Sequence, residues 1–207
     1  MHGTIDSDEN ASPPNRVTHA HSRRRNVAYI IIIVLSAPLI YLFGFAGMRF
    51  ILAQESSMKP TLNTPEYVLT LRQHTYNRGD IVVLRDPMEA GGYLVKRIVG
   101  VPGDRVEIRG GGLFLNGRFA SEPYLFENMN YEMKEYALAD GEVFVLGDNR
   151  NESVDSHDWM ANSEIEHEAM VKGVPIDSIV GRVRCVYLPL KRMRRVNNYP
   201  LKNSHSE

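Results

Sequence analysis

The sequence offers little sulfur chemistry: one cysteine, Cys185, in 207 residues. An internal disulfide is excluded, and a lone Cys is expected to serve as a small buried hydrophobe. No Cys/His cluster stands at zinc-ligand spacing. The seven histidines are scattered, with His19 and His21 in a polar N-terminal stretch. An excess charge of one sign is missing too, since 24 Lys and Arg face 25 Asp and Glu. That balance gives no argument for nucleic acid as a partner. No internal repeat is visible. What is present is ordinary apolar content, 43%, enough for a packed core in one or two small domains.

Apolar residues are concentrated in one place. Residues 1–26 are rich in Ser, Asn, His and Pro, have no apolar period and end in Arg23, Arg24 and Arg25. They read as a disordered tail. Then comes VAYIIIIVLSAPLIYLFGFAGM, Val27 to Met48, without a charge. As a helix at about 1.5 Å per residue it spans roughly 33 Å, enough for a hydrocarbon core of about 30 Å. Pro38 is tolerated in a lipid-embedded helix. The arginines before the span predict a cytoplasmic N-terminus and a chain outside the cytoplasm after Arg49. Gly44-Phe45-Ala46 resembles a signal-peptide cleavage site, but the run exceeds the roughly 7–15 residues of such a segment. A retained single-pass anchor is the expectation.

The remainder reads as mainly β. Tyr67–Leu71, Asp80–Arg85, Tyr93–Val99, Glu142–Leu146 and Ile179–Leu188 are apolar or alternating runs between turn signals. Pro102-Gly103-Asp104 is a turn, Val106–Ile108 and Leu113–Leu115 form a hairpin, and Asn116-Gly117 turns into another short strand. Helix is expected only over about Asn162–Val171, with Ser163 and Glu166 as a capping box. Residues 103–141 look like a β segment inserted into a core built from 49–102 and 142–190. Residues 191–207 read as a basic polar tail. Its run Lys191–Arg195, KRMRR, is expected to be solvated or to touch anionic lipid.

One short stretch offers chemistry. QESSMKPTL, Gln54 to Leu62, places Ser56, Ser57 and Lys59 together. A serine hydroxyl needs a base to become a nucleophile. No histidine is suggestively placed for that task. A lysine can serve only if burial disfavours its ammonium form. Lys59 lies in a polar turn and should stay solvated. Lys96 lies within the apolar strand YLVKRIVG, where Leu94, Lys96 and Ile98 share one face and Val95, Arg97 and Val99 the other. On these residues alone, Lys96 is either a buried base or a side chain that snorkels from a solvated edge.

SSMKPTL, RGDIVVLRDP, YLVKRIVGVPGD and GDNRNESVDS stand in this order behind the N-terminal apolar run. Together they resemble type I signal peptidase, the bacterial membrane-bound Ser/Lys endopeptidase. The resemblance extends from about Arg23 to Leu188. It implies antiparallel sheets in a signal-peptidase/repressor-like catalytic core, Ser57 as nucleophile and Lys96 as general base. It further implies that Ser153 hydrogen-bonds that lysine, and that Asp148, Asn149, Arg150 and Asp155 hold the active-site loops. Gly147 is expected to permit the turn into that block. Ala53, Met58, Leu62 and Val95 are expected to line pockets for small substrate side chains, Met58 being the residue next to the nucleophile. No cofactor or metal is expected. The implied partners are exported preproteins with small-x-small cleavage sites and the lipid bilayer, with the enzyme itself a monomer.

Three features depart from the family pattern. Where the family carries an arginine that pairs with the residue corresponding to Asp155, this chain has His157, so that salt bridge should weaken or depend on pH. Two positions before the nucleophile, where a small residue such as Ser or Gly is usual, stands Glu55, whose carboxylate cannot donate to an oxyanion. The segment Trp159–Gly173 is also longer and more acidic than the family carries there.

Overall fold

The computed structural model describes residues 16–41, 44, 47–159 and 173–201. The chain divides into two compact units, Met1–Leu42 and Phe43–Glu207. The first contains one helix, α1 (Arg16–Ile40), with Pro38 inside it. The helix begins well before the uncharged run, so the expectation of an unstructured stretch up to residue 26 fails from Arg16 onward. Its apolar side chains are left open, with Ile30, Ile32, Ile33, Val34 and Leu35 all exposed. Among the described residues, no helix is long and apolar enough to cross a membrane. Part of the 27–48 run lies outside the described residues.

The second unit is mainly β and antiparallel. Its strands are β1 (Arg49–Ala53), β2 (Glu66–Leu71), β3 (Ile81–Arg85), β4 (Tyr93–Gly100), β5 (Arg105–Arg109), β6 (Gly112–Leu115), β7 (Arg118–Phe119), β8 (Met133–Ala137), β9 (Glu142–Leu146), β10 (Val174–Pro175), β11 (Ile179–Leu188) and β12 (Arg194–Arg195). One sheet runs β1-β2-β11-β3-β4-β9-β10, with β12 beside β11. The other, β7-β6-β5-β8, is drawn wholly from residues 105–137. The Asn116-Gly117 pair makes the β6–β7 turn, both residues adopting positive φ (54° and 77°), which their small or absent side chains permit. The helix expected at Asn162–Val171 lies outside the described residues.

Both faces of the main sheet are covered at its centre. Along β3, Ile81 and Val83 pack with Ala53, Met58, Leu62, Val68 and Val95. Val82 and Leu84 pack the other way with Leu94, Ile98, Val145 and Trp159. This is the alternation a pleated strand imposes. β4 lies between β3 and β9, and every residue from Leu94 to Gly100 is buried. Whatever polar side chain β4 carries must therefore find its partners inside the protein.

The C-terminal residues correct a second expectation. They are not wholly a solvated tail. Arg194 donates Nη1 and Nη2 to the two oxygens of the fully buried Glu66, both at 2.8 Å. Tyr199 lies against the Tyr124 ring, Asn198 Nδ2 donates to Asp80 Oδ1 at 2.8 Å, and Leu201 is buried in the cluster formed largely by the second sheet. Lys191, Arg192 and Arg195 remain exposed. Cys185 is half-buried rather than buried, and free.

Candidate active site

The site begins where β1 stops. After Ala53 the chain enters a short 3-10 turn, Ser56–Met58. The turn is pinned from beneath, because Met58 and Leu62 are both buried in the apolar cluster that holds Val95. Lys59 points to solvent. From the other side the Gly147–Asn149 stretch grips the turn: the Asn149 N–H donates to the Ser57 carbonyl at 2.9 Å. Asn149 Nδ2 donates to the Ser56 carbonyl at 3.4 Å. Ser57 is only 4% exposed, while Ser56 is half-buried.

Gly147 is required here for a reason other than the expected one. Its φ is not positive. A Cβ at this position would sit 2.4 Å from Ser153 Oγ and 2.5 Å from the Ser57 carbonyl oxygen. The glycine lets the Ser57 turn and Ser153 close on the same backbone point.

Lys96 comes to this point from β4. Its side chain is 1% exposed, and Nζ donates to Ser153 Oγ at 3.0 Å. Burial holds its ammonium well below the ordinary value of 10.5, against the opposing pull of Asp155, Glu55, Asp158 and Asp86. Glu55 Oε2 lies 3.9 Å from Nζ. Asp155 is buried below the same cluster and takes the Gly147 N–H at 3.0 Å. Burial pushes its carboxyl up, while the Gly147 N–H, Lys96 and a hydrogen bond from Ser153 pull it down. Both groups are thus driven toward their neutral forms by the same desolvation.

The supporting residues form a second layer. Arg97 faces away from Lys96 and binds Asp148 in a fork, Nε to Oδ1 and Nη2 to Oδ2, each at 2.7 Å. Its Nη1 donates to the Gly79 carbonyl at 2.9 Å, and its guanidinium lies 3.8 Å from the Tyr124 ring centroid. Asp148 also accepts from the Thr61 hydroxyl. Arg150 is buried, donates Nε to the Gly147 carbonyl at 3.0 Å and forks onto Glu122 of the 105–137 region. Thr61 and Glu122 were not singled out in the sequence. Thr61 lies within the quoted KPTL run, whereas Glu122 sits in a loop with no pattern around it.

The expected pH-dependent bridge at His157 is not formed. The His157 ring stacks on Tyr131 with centroids 3.9 Å apart, and its Nδ1 lies 3.7 Å from Asp158 Oδ1. Asp155 receives the backbone N–H of His157 instead, at 3.2 Å. Backbone donors thus take the place of the absent guanidinium.

Two concavities meet at Ser57. A small one of about 110 Å³ is lined by Ala53, Met58, Leu62 and Val95, together with Leu52, Tyr93 and Glu55. All four residues expected to form a small-side-chain pocket therefore stand around one opening. The second, about 480 Å³, opens on the Leu94 and Trp159 side.

A buried serine turn, a desolvated lysine and a small apolar pocket thus meet at one place. The model of the family described as signal peptidase, peptidase S26, matches residues 23–188. The chain is 31% identical over 198 residues to signal peptidase I U of Bacillus subtilis (strain 168), covering 87% of this chain and 98% of that one. It is 31% identical over 185 residues to signal peptidase I of Bacillus licheniformis, covering 83% and 91%. A crystal structure of a signal peptidase I from Enterococcus faecalis V583 aligns with a TM-score of 0.42 at 29% identity, over 52% of this chain and 96% of that one. The chain belongs to the signal peptidase, peptidase S26, family, as a type I signal peptidase.

Proposed function

We propose that this protein is a membrane-anchored endopeptidase that removes N-terminal signal peptides from exported precursors, with Ser57 as nucleophile and Lys96 as general base. Ser57 Oγ attacks the scissile carbonyl as Lys96 Nζ takes its proton. The tetrahedral intermediate collapses, Lys96 returns the proton to the leaving amine, and the signal peptide stays esterified to Ser57. Lys96 then takes a proton from water, which attacks the ester and releases the carboxylic acid and Ser57. Ser153 orients the amine. The backbone N–H of Ser57 is the oxyanion donor, since Glu55 supplies none.

The observation that carries this reading is the state of Lys96: a buried amine whose nearest side-chain partner is a neutral hydroxyl, 3.0 Å away. A lysine held for structure would be met by a carboxylate in direct contact. The roughly 110 Å³ pocket suits alanine-sized side chains. The substrate would lie extended between β1 and β4. Ser57 acts alone in this scheme, and Ser56 contributes its carbonyl to the Asn149 clasp. The uncharged Val27–Met48 run serves as the anchor, with the arginines before it keeping the N-terminus cytoplasmic and the catalytic unit on the outer face. The open apolar surface of α1 supports lipid as its surroundings.

The test is cleavage of a precursor with an Ala-x-Ala site by the detergent-solubilised full chain. Loss in Ser57→Ala and Lys96→Ala, with retention in Ser56→Ala, is expected. Loss only in Ser56→Ala would overturn the assignment of the nucleophile.

A further inference from the structure

The larger concavity beside Ser57 has a character the proteolytic mechanism does not use. Three carboxylate residues line it: Glu55, Asp86 and Glu152. Among the described residues no lysine, arginine or histidine does. Glu152 is exposed and has no side-chain partner among the described residues. Asp86 Oδ1 takes the N–H groups of Met88 and Glu89, at 2.7 and 3.3 Å, which fixes the carboxylate at the rim without neutralising it. Glu55 is 60% exposed and faces Lys96 at 3.9 Å.

A second, independent feature points to a ligand. Trp159 lines the same groove and is 1% exposed, yet its indole N–H has no acceptor among the described residues. A buried donor without an acceptor is costly unless something supplies one. A peptide carbonyl laid along the groove would do so. Met88 and Val154, at 57% and 61% exposure, give the walls apolar surface that a long alkyl stem can cover.

The position of the groove fixes which substrate residues reach it. The small pocket includes Val95 and the groove includes Leu94, consecutive residues on opposite faces of β4. Ser57 and Glu55 line both. In an extended peptide, alternate side chains point to opposite sides. If the residue at the cut fills the small pocket, its two neighbours, one before it and one after the scissile bond, point toward the groove.

We propose that this groove is a specificity site for a cationic side chain, a lysine or arginine of the precursor carried by one of the two residues flanking the residue at the cut. The proposal rests on the Ser57 peptidase reading. The head group meets the three carboxylates, the stem lies along Met88 and Val154, and the Trp159 N–H caps a substrate carbonyl. Precursors carrying Glu at these positions are disfavoured by the same field.

The experiment uses the full chain in detergent and a precursor peptide with an Ala-x-Ala site. Each flanking position is set in turn to Lys, Ala or Glu. The readout is the ratio of kcat/KM for Lys over Glu at each position. For the wild type at low salt a ratio of about ten is expected at one position or the other, falling as salt is added. Glu152→Lys should bring the ratio down toward one, since Glu55 and Asp86 remain and the groove keeps a net negative charge. Because each enzyme is compared with itself, lowered overall activity in the variant leaves the ratio readable. A wild-type ratio within about twofold of one at both positions, or a ratio that Glu152→Lys leaves unchanged, overturns the proposal. If the Ala-flanked peptide is still cleaved in a Ser57-dependent manner, that result falls on the groove alone. If Ser57→Ala cleaves as well as the wild type, the peptidase reading falls and the groove proposal with it.

Discussion

Lys96 and Arg97 are neighbours on one buried strand, and the protein treats them in opposite ways. Arg97 is saturated: a forked carboxylate, a backbone carbonyl and an aromatic face surround its guanidinium. Lys96 is starved: one hydroxyl at 3.0 Å and one mostly exposed carboxylate at 3.9 Å. A guanidinium cannot shed its proton in a protein, so burying it demands full pairing. An ammonium can, so withholding partners converts burial into basicity. Burial is the common condition, and pairing decides what each face is for. The Arg97 face holds its charge in a closed set of partners, and the Lys96 face keeps an amine whose charged form burial disfavours.

Methionine at each of the two positions in turn should separate them most strongly. Lys96→Met removes the proposed base, and cleavage should fall by about 10²–10⁴-fold. Its stability should hold or rise, since a desolvated amine is replaced by a side chain of similar length. The pH dependence should change as well. Between the lowered native value of Lys96 and 10.5 the unfolded chain holds the proton and the native amine does not. Wild-type stability therefore gains with rising pH across that window, and Lys96→Met should lose that contribution. Arg97→Met has the opposite profile. It strands the buried Asp148 and should cost about 3–5 kcal/mol in denaturant unfolding. Equal destabilisation by the two substitutions would dissolve the contrast.

The contrast was half legible in the sequence. Strict alternation along YLVKRIVG put one basic residue on each face, and the structure has that arrangement because a pleated strand allows no other. Local pattern could not say which face was paired, because the partners are remote in sequence: Asp148 and Tyr124 for Arg97, and Ser153 for Lys96, the last expected only through the family resemblance. Local pattern also named Glu142–Leu146 and Ile179–Leu188 with their observed bounds, the first as an apolar run after Glu142 and the second because Arg182 and Arg184 alternate with apolar residues. It missed β8, MKEYA, whose charged residues give little apolar signal, and the two-residue β10 and β12. The C-terminal region failed for a related reason. RRVNNYPL is polar by composition, yet Arg194 and Tyr199 are fixed by Glu66 and Tyr124, contacts that no local window contains. At the site, Ser57 and the residues Ala53, Met58, Leu62 and Val95 were singled out through the family resemblance, and the four apolar residues line one concavity beside Ser57. The role of Gly147 was misread, because close approach depends on two segments that meet only in the fold.

Ser153→Ala acts within the Lys96 face alone. The substitution removes the one hydroxyl that orients the amine and leaves Arg97 untouched. As a positioning effect it should lower kcat by roughly 10–100-fold with little change in KM, and Ser153→Thr should restore part of the loss. A structural role alone would lower stability without separating kcat from KM. Denaturant midpoints measured beside the kinetics distinguish the two.

A more modest effect tests Glu55, which after Asp155 is the next of the four carboxylates that weaken the contrast. Glu55 is the carboxylate that partly pairs Lys96 and raises the value that burial lowers. Removing it in Glu55→Gln leaves the amine more starved, so its pKa falls further. A base with a lower pKa is deprotonated at lower pH, and the rising limb of kcat/KM should move toward acid. Glu55 is mostly exposed, so with an Ala-flanked substrate below the limb the gain should be modest, about two- to fivefold. The measurement is a pH profile of kcat/KM for both enzymes at low salt, where screening does not mask the pair. A limb that stays in place would mean that solvent already screens Glu55 from Lys96, leaving burial opposed by Asp155 and the more distant acids. A limb that moves toward alkali would mean that the carboxylate assists the neutral amine, and the starved-lysine account of this face would fail.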